Sequence, residues 1–386
     1  MQSTRNLNIC VIAPDNNAYS ETFIRAHVEK LPGTVHFLYG GALPIFQKNG
    51  TPLVPSASLG RWFIRLVLGK LFKFDFSQET LLKKAIKKYF KENNIDVVLA
   101  EYGPTGVAVE SICQDLNIPL AVHFHGYDAF EFETTKKYKE GYKKLFNAAS
   151  AIISGSHSMQ RQLMSLGAKE NMYQNYLGVD SSLFLLGDPE LSPPTFLAVG
   201  RFVDKKAPYL TILAFQKMLK EFPTARLILC GDGPLREACK QLVKVFNIAD
   251  RVEFKGISKS TEVASLMRDA RAFVQHSLTT SYGDSESLGV VFLEAGISGI
   301  PVVATQHDGI PEVIVHGQTG FLVDEGDVNG MAKCMLQLAQ DPLLAGRLGK
   351  AARERISREF NMDKSITGLY RILKSAVENK KDKNIK

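Results

Sequence analysis

Two glutamates, Glu286 and Glu294, sit eight positions apart in E-S-L-G-V-V-F-L-E-A and are the residues best placed to do chemistry. A helix-forming apolar segment opens between them, so one carboxylate lies just outside a helix and the other inside it. The stretch ends in G-I-S-G-I-P-V-V-A-T (296–305), which reads as helix, turn and buried strand. Backbone N–H groups of Leu288, Gly289 and Val290 then stand at a helix N-terminus, where unpaired donors and the helix dipole favour phosphate. A carboxylate can accept two O–H donors at once, which suits the vicinal hydroxyls of a sugar. A diphosphate with a sugar on each side is a nucleotide-sugar, and that is the ligand these residues lead one to expect.

Positive charge is available nearby. The strand ending at Gly200 runs into R-F-V-D-K-K-A-P, which puts Arg201 and Lys206 just beyond a strand end, within reach of a pyrophosphate. C-G-D-G-P-L-R-E (230–237) reads as a Gly turn after a strand, with Pro234 and Leu235 opening a helix. It is not a G-x-G-x-x-G fingerprint, so a nicotinamide cofactor has little support. No D-x-D occurs, which leaves Arg201, Lys206 and helix N–H groups to meet the diphosphate charge without a bridging metal. No G-x-S-x-G occurs either, so a hydrolase elbow is unsupported. In the first half, H-F-H-G-Y-D (123–128) follows a buried strand. Alternation points His123 and His125 the same way, one toward the core and the other, His125, toward a cleft. Gly126 permits a sharp turn, and Asp128 is expected to orient an imidazole. Without a third ligand at compact spacing, no metal site is expected there. N-N-A-Y-S-E-T-F (16–23) reads as a polar loop entering a helix capped by Ser20.

These residues need a scaffold. Short β-rich runs alternate with amphipathic segments, the pattern of parallel sheets covered by helices. The first half offers strands at 8–13, 35–39, 96–100, 120–124 and 151–154. The second offers strands at 195–199, 225–230, 251–254, 272–275, 301–304 and 321–323. Between them L-L-G-D-P-E-L-S-P-P (185–194) has a linker's composition. The expected fold is α/β, with two doubly wound, Rossmann-like parallel-sheet domains of similar size facing each other across a ligand cleft. The boundaries are 1–185 and 186–361, followed at 362–386 by a C-terminal helix (to Val377) and a charged, frayed tail.

Composition agrees. The 386 residues, 45% hydrophobic and 23% charged, suit a water-soluble chain of two cores. Five scattered cysteines with no C-x-x-C pair read as buried thiols of a reducing compartment, and so as a cytoplasmic chain. Neither a signal peptide nor a membrane span is evident. The net charge of +7 is modest, but residues 61–91 carry nine Lys and Arg against Asp75 and Glu79. Within it, 81–90 reads as an amphipathic helix with a lysine face opposite Leu82, Ala85, Ile86 and Tyr89. The run 61–74 mixes aromatic and basic groups as segments on an anionic membrane surface do. No nucleic-acid module accompanies the charge.

With these residues in view, the chain resembles the family-4 glycosyltransferases, retaining enzymes with two Rossmann-like domains in the GT-B arrangement. The resemblance rests on an ordered series over roughly 195–340: V-G-R-F-V-D-K-K, C-G-D-G-P-L, V-E-F-K-G, G-D-S-E-S-L-G-V-V-F-L-E-A, G-I-P-V-V-A-T-Q-H-D-G-I-P-E-V-I and G-Q-T-G-F-L-V. In the first half S-E-T-F-I, H-F-H-G-Y-D and Y-L-G-V-D match more loosely. S-E-T-F-I with G-D-S-E is similar to the branch that builds bacterial exopolysaccharide and lipopolysaccharide. The resemblance implies that Arg201 and Lys206 hold a donor diphosphate, Glu286 the donor sugar hydroxyls and Glu294 the ribose diol. Leu288, Gly289 and Val290 would give N–H groups to phosphate or sugar, and Gly256 and Ile257 would flank the base. His125 matches the first-domain histidine near the reacting sugar. The chain departs from the pattern where A-Y-S-E-T-F replaces a Gly-Gly loop and where Ser287 and Leu288 replace Gly-Phe or Gly-Ile.

The function so implied is metal-independent, retaining transfer of a hexose from a nucleoside diphosphate sugar to a growing, lipid-linked saccharide in cell-surface polysaccharide synthesis, in the cytoplasm at the inner face of the membrane. No cofactor beyond the donor is implied. The rivals are a nucleotide-sugar 2-epimerase on the same scaffold and a non-catalytic membrane-surface binding protein.

Overall fold

The computed structural model describes residues 6–16, 22–55 and 78–385 of the chain, with side chains described as far as Lys380. All eleven expected strands are present, their ends within two residues of the expected positions. The first sheet has β1 (Asn8–Ala13), β2 (Thr34–Tyr39), β3 (Phe46–Gln47), β4 (Val97–Glu101), β5 (Leu120–Phe124), β6 (Ala151–Ser154) and β7 (Met172–Gln174) in the order β3-β2-β1-β4-β5-β6-β7. The second has β8 (Thr195–Val199), β9 (Arg226–Cys230), β10 (Val252–Gly256), β11 (Ala272–Gln275), β12 (Val302–Thr305) and β13 (Gly320–Val323) in the order β10-β9-β8-β11-β12-β13. Every pairing is parallel except β2 with β3. The short β3 and β7 are additions to the expected set, too brief to show a period of their own.

Burial explains the composition of the strands. β4, β5, β6, β11 and β12 are buried at every position, because helices cover both faces of a parallel sheet. Side chains alternate between two apolar layers per sheet. In β8, Phe196 joins the layer with Phe215 and Met335, and Leu197 joins the layer with Phe292 and Leu293. The helix Gln78–Glu92 buries Leu82, Ile86 and Phe90 and turns Lys84 and Lys88 to solvent, as its lysine face predicts. The basic and aromatic run 61–74 lies outside the described residues.

Both sheets start in the middle and wind outward in both directions, so β1/β4 and β8/β11 are the places where the strand order reverses. Crevices form at such points, beyond the C-terminal strand ends. Here the residues immediately after six strands, Tyr102, His125, Gly155, Gly200, Gly231 and Ile257, all line one cavity between the two units.

The C-terminal stretch differs from the expected frayed tail. The helix Met362–Ile385 continues past Val377 and packs on the first sheet. Ile366, Leu369, Leu373 and Val377 enter the layer that holds Ile9, Val11, Val97 and Leu99. The chain therefore crosses between the units twice, and the crossings are tied together. Val179 N–H donates to Phe360 O (3.0 Å), and Met362 N–H donates to Val179 O (3.2 Å). Leu369 is fully buried, so Leu369→Ala should destabilise the chain by about 2–5 kcal/mol. Hydrogen exchange should then show lost protection in β1, β4, β5 and β6 with β8 to β13 retained. Loss spread evenly over both sheets would show that the helix does not belong to the first unit.

Candidate active site

The cavity between the units has a volume of about 680 Å³. Of the residues singled out in the sequence, His125, Arg201, Lys206, Ile257, Glu286, Leu288, Gly289, Val290 and Glu294 all line it. Gly256 does not. At the end of β10, with φ 75°, its carbonyl accepts the Gly231 N–H (2.7 Å), and so it sets the wall from behind. Gly231 must be glycine: φ is 131°, and a Cβ there would stand 1.9 Å from Gly200 O.

The second unit supplies the charge. Lys206 ends the short 3₁₀ turn Asp204–Lys206 after β8, and its amine pairs with the Glu286 carboxylate. Burial alone would push the Glu286 carboxyl up, but Lys206 and Lys205 outweigh it and hold it below the ordinary value. Lys205, which the sequence reading passed over, is itself buried. Its amine donates to Asp284 Oδ1 (2.9 Å) and Ser285 O (3.2 Å), fixing the strand-to-helix loop that carries Glu286. From the other side, the Glu286 N–H donates to His307 Nε2 (2.9 Å), so the His307 proton sits on Nδ1 and is given to Glu325 Oε1 (2.5 Å).

The helix that carries Glu294 is Val290–Ile297, and it opens later than the sequence suggests. Gly289 is its N-cap at φ 76°, and Leu288 precedes it, buried in the core. Phe292 N–H already bonds Gly289 O, which leaves the N–H groups of Val290 and Val291 as the first-turn donors at the cavity wall. Ser287 turns its hydroxyl to Met159 Sδ (3.9 Å) of the first unit. Burial pushes the Glu294 carboxyl up to about 7 against the opposing pull of Lys206.

The first unit supplies imidazoles. His125 and His123 point the same way, with ring centroids 4.3 Å apart, and His123 is wholly buried. Asp128 does not orient an imidazole as the sequence suggested. Its carboxylate accepts backbone N–H groups of Gly103 (2.9 Å), His125 (3.0 Å) and Gly126 (2.9 Å), and so builds the turn after β5. The partner of His125 is Glu101 at the end of β4, whose Oε2 lies 2.7 Å from His125 Nε2. The clue lay in V-V-L-A-E, an apolar strand closed by an acid, beside which the parallel register places His123. Residues 17–21, Ser20 among them, lie outside the described residues. Phe23 of the same motif lies on the His125 ring, with centroids 4.4 Å apart.

The two glutamates of the second unit should respond oppositely to pH. In the fold Glu294 keeps a proton that the unfolded chain gives up above its ordinary value of 4.5. Its effect on stability is therefore unfavourable as pH rises from about 4.5 to 7, by up to about 1.4 kcal/mol per pH unit. Glu286, held low, contributes stability that is lost only as pH falls below the ordinary carboxylate range. Relative to the parent, Glu294→Gln should gain melting temperature between pH 5 and pH 8. A difference that does not change with pH would contradict the burial of Glu294 as an acid.

Residues 188–355 match the family model "Glycosyl transferases group 1", and residues 27–183 match "Glycosyltransferase Family 4". An N-acetyl-alpha-D-glucosaminyl L-malate synthase of Bacillus anthracis is 34% identical over 86% of this chain and 87% of its own length. A putative colanic acid biosynthesis glycosyltransferase of Escherichia coli is 30% identical over 69% of this chain and 67% of its own length. In fold, the chain superposes on an Anabaena protein, HepE, crystallised with UDP and glucose, with a TM-score of 0.72 and 17% identity over 96% of this chain and 100% of that one. Two matched models in sequence, a relative identical at a third of positions over most of both chains and a shared two-sheet architecture place this chain in the family-4 glycosyltransferases of GT-B fold.

Proposed function

We propose that the chain is a retaining, metal-independent hexosyltransferase. It takes a nucleoside diphosphate sugar as donor and a saccharide, lipid-linked at the inner membrane face, as acceptor in cell-surface polysaccharide synthesis. The observation that carries the reading is the Lys206–Glu286 pair beside Glu294 and the first turn of Val290–Ile297, on one wall of a cavity whose other wall holds His125. Lys206, Arg201 and the first-turn N–H groups suit a diphosphate whose charge grows as it leaves. Glu286 and Glu294 suit the hydroxyls of the sugar and the ribose. The names of relatives in colanic acid and amylovoran biosynthesis support the polysaccharide role, and the UDP and glucose of HepE support a nucleotide-sugar donor.

On this reading the bond between the anomeric carbon and the diphosphate oxygen breaks while the acceptor hydroxyl bonds to that carbon from the same face. The hydroxyl proton passes to the departing phosphate oxygen, so that no protein base is consumed. His125, at the opposite wall, bounds the reacting sugar. With the two units closed on each other, water is kept from the activated carbon.

The donor is found by thermal stabilisation against UDP, GDP, ADP and their sugar conjugates with chelator present. Saturation at 100-fold above Kd should add about 2.7 kcal/mol for the right base. Lys206→Ala should lower release of nucleoside diphosphate from that donor by about 10²–10³-fold. Glu294→Ala should abolish the stabilisation. No stabilisation by any nucleotide, or full turnover in Lys206→Ala, would overturn the proposal.

A further inference from the structure

We propose that Glu101 is the positioning residue for His125, and that His27 anchors Glu101 from behind in a buried chain His27–Glu101–His125. This rests on the reading of His125 as the cleft-facing group of the transfer site. The three residues come from separate elements: the helix Thr22–Lys30, the end of β4 and the residue after β5. His27 Nδ1 lies 2.7 Å from Glu101 Oε1, and His125 Nε2 lies 2.7 Å from Glu101 Oε2. Glu101 and His27 are buried, and only His125 reaches the cavity.

Chemistry fixes the protons in this chain. Burial alone would push the Glu101 carboxyl up, but His27 and His125 outweigh it and hold it well below the usual range. An ionised carboxylate only accepts, so both imidazoles must donate to it. His125 thereby keeps a proton on Nε2, directed at Glu101 Oε2. Phe23 on the ring and Tyr102 at its edge, 4.8 Å between centroids, restrict how it can turn. Tyr102 stands at φ 75°, a costly conformation for a side chain of its size, directly after Glu101. His123 completes the cluster without joining the chain. Its Nδ1 is 3.8 Å from Glu101 Oε2, both its ring nitrogens lack hydrogen-bond partners, and burial pushes its imidazole well below the usual range.

The same atoms invite a metal reading, since ligand atoms of His27, Glu101 and His123 lie within 4.8 Å of one another. The geometry favours shared protons. Ligand atoms about a tetrahedral zinc ion stand roughly 3.3 Å apart, whereas within this group His27 Nδ1 lies 2.7 Å from Glu101 Oε1, the length of a charge-assisted hydrogen bond, and His123 Nδ1 lies 3.8 Å from Glu101 Oε2. The His27 and His123 rings are also stacked, 25° from parallel with centroids 5.5 Å apart, and do not converge on a common point.

The test uses the full chain with ¹⁵N-labelled histidine. In the parent, imidazole NMR should show His125 with its proton on Nε2. Glu101→Gln keeps the shape but puts an amide N–H₂ where one oxygen was, so one of the two rings must become an acceptor and invert its tautomer. Turnover of the donor should then fall by on the order of 100-fold or more, with stabilisation by nucleotide retained. A parent His125 protonated on Nδ1 would overturn the proposal even if the variant failed to fold. So would parental turnover in Glu101→Ala, which removes the acceptor from both rings, when His125→Ala is inactive, or one equivalent of tightly bound zinc in the purified chain. Full turnover in His125→Ala would instead remove the role given to His125, and would leave the hydrogen-bonded chain to be judged by its NMR signature.

Discussion

One lysine amine faces two half-buried carboxylates on the cavity wall, and the second unit is organised around that imbalance. Lys206 pairs with Glu286, and Glu294 receives only what remains of its field. Two carboxylates partly withdrawn from water, with Lys206 the one cation acting on both and Lys205 adding its field at Glu286 alone, cannot both stay comfortably ionised. The outcome is a division: Glu286 is drawn below its ordinary value, and Glu294 is driven toward neutrality. Everything nearby holds that division in place. Lys205 anchors the loop before Glu286, His307 and Glu325 hold its backbone, and Gly289 starts the helix that carries Glu294. A ligand that brings negative charge to Lys206 must take it from Glu286, and a ligand that brings hydroxyl donors relieves both acids. A nucleotide-sugar does both at once.

How much of this was legible in the sequence depended on whether the signal was local. The strands were, since a buried parallel strand is an apolar run with breakers at both ends, and the runs at 8–13, 120–124 and 272–275 match the structure residue for residue. The Glu286–Glu294 segment was legible for the same reason, because a helix start, a glycine and two acids fall within ten residues. Glu101, His27 and Lys205 were not. Glu101 meets His27 across 74 residues and His125 across 24, through a sheet register that no local pattern states. Asp128 was misjudged because a nearby acid and imidazole suggest a pair. The turn after β5 instead leaves the N–H groups of His125 and Gly126 pointing inward beside that of Gly103 after β4, and a buried carboxylate is the residue that can accept all three. The C-terminal helix was seen, but its docking was not, since an amphipathic stripe does not say which sheet it covers.

The two units meet through polar contacts rather than a large shared core. Glu312 of the second unit accepts N–H groups of His157 and Ser158 (both 3.0 Å), at the N-terminus of a first-unit helix, and the Tyr176 hydroxyl (2.8 Å). Phe132 N–H donates to Tyr282 O (2.9 Å) at the other rim. Helix N-termini and single backbone donors can be re-solvated if the units part, which an apolar interface of the same extent would resist. The double crossing at Val179 and Asn361 is different in kind. It is paired backbone that ties the two crossings to each other.

That arrangement separates the two kinds of chemistry. The second unit holds Arg201, Lys205, Lys206, the helix N-terminus and the two acids of the cavity wall. The first unit holds a carboxylate whose negative charge is spent on His27 and His125 and does not face the cavity. Had Glu101 lined the cavity it would repel a diphosphate bound opposite. Covered by His125, it leaves an imidazole at the cavity wall and keeps its own charge behind the ring. The histidine stands between that buried acid and the cationic wall of the cavity, and the backbone turn built by Asp128 holds it there.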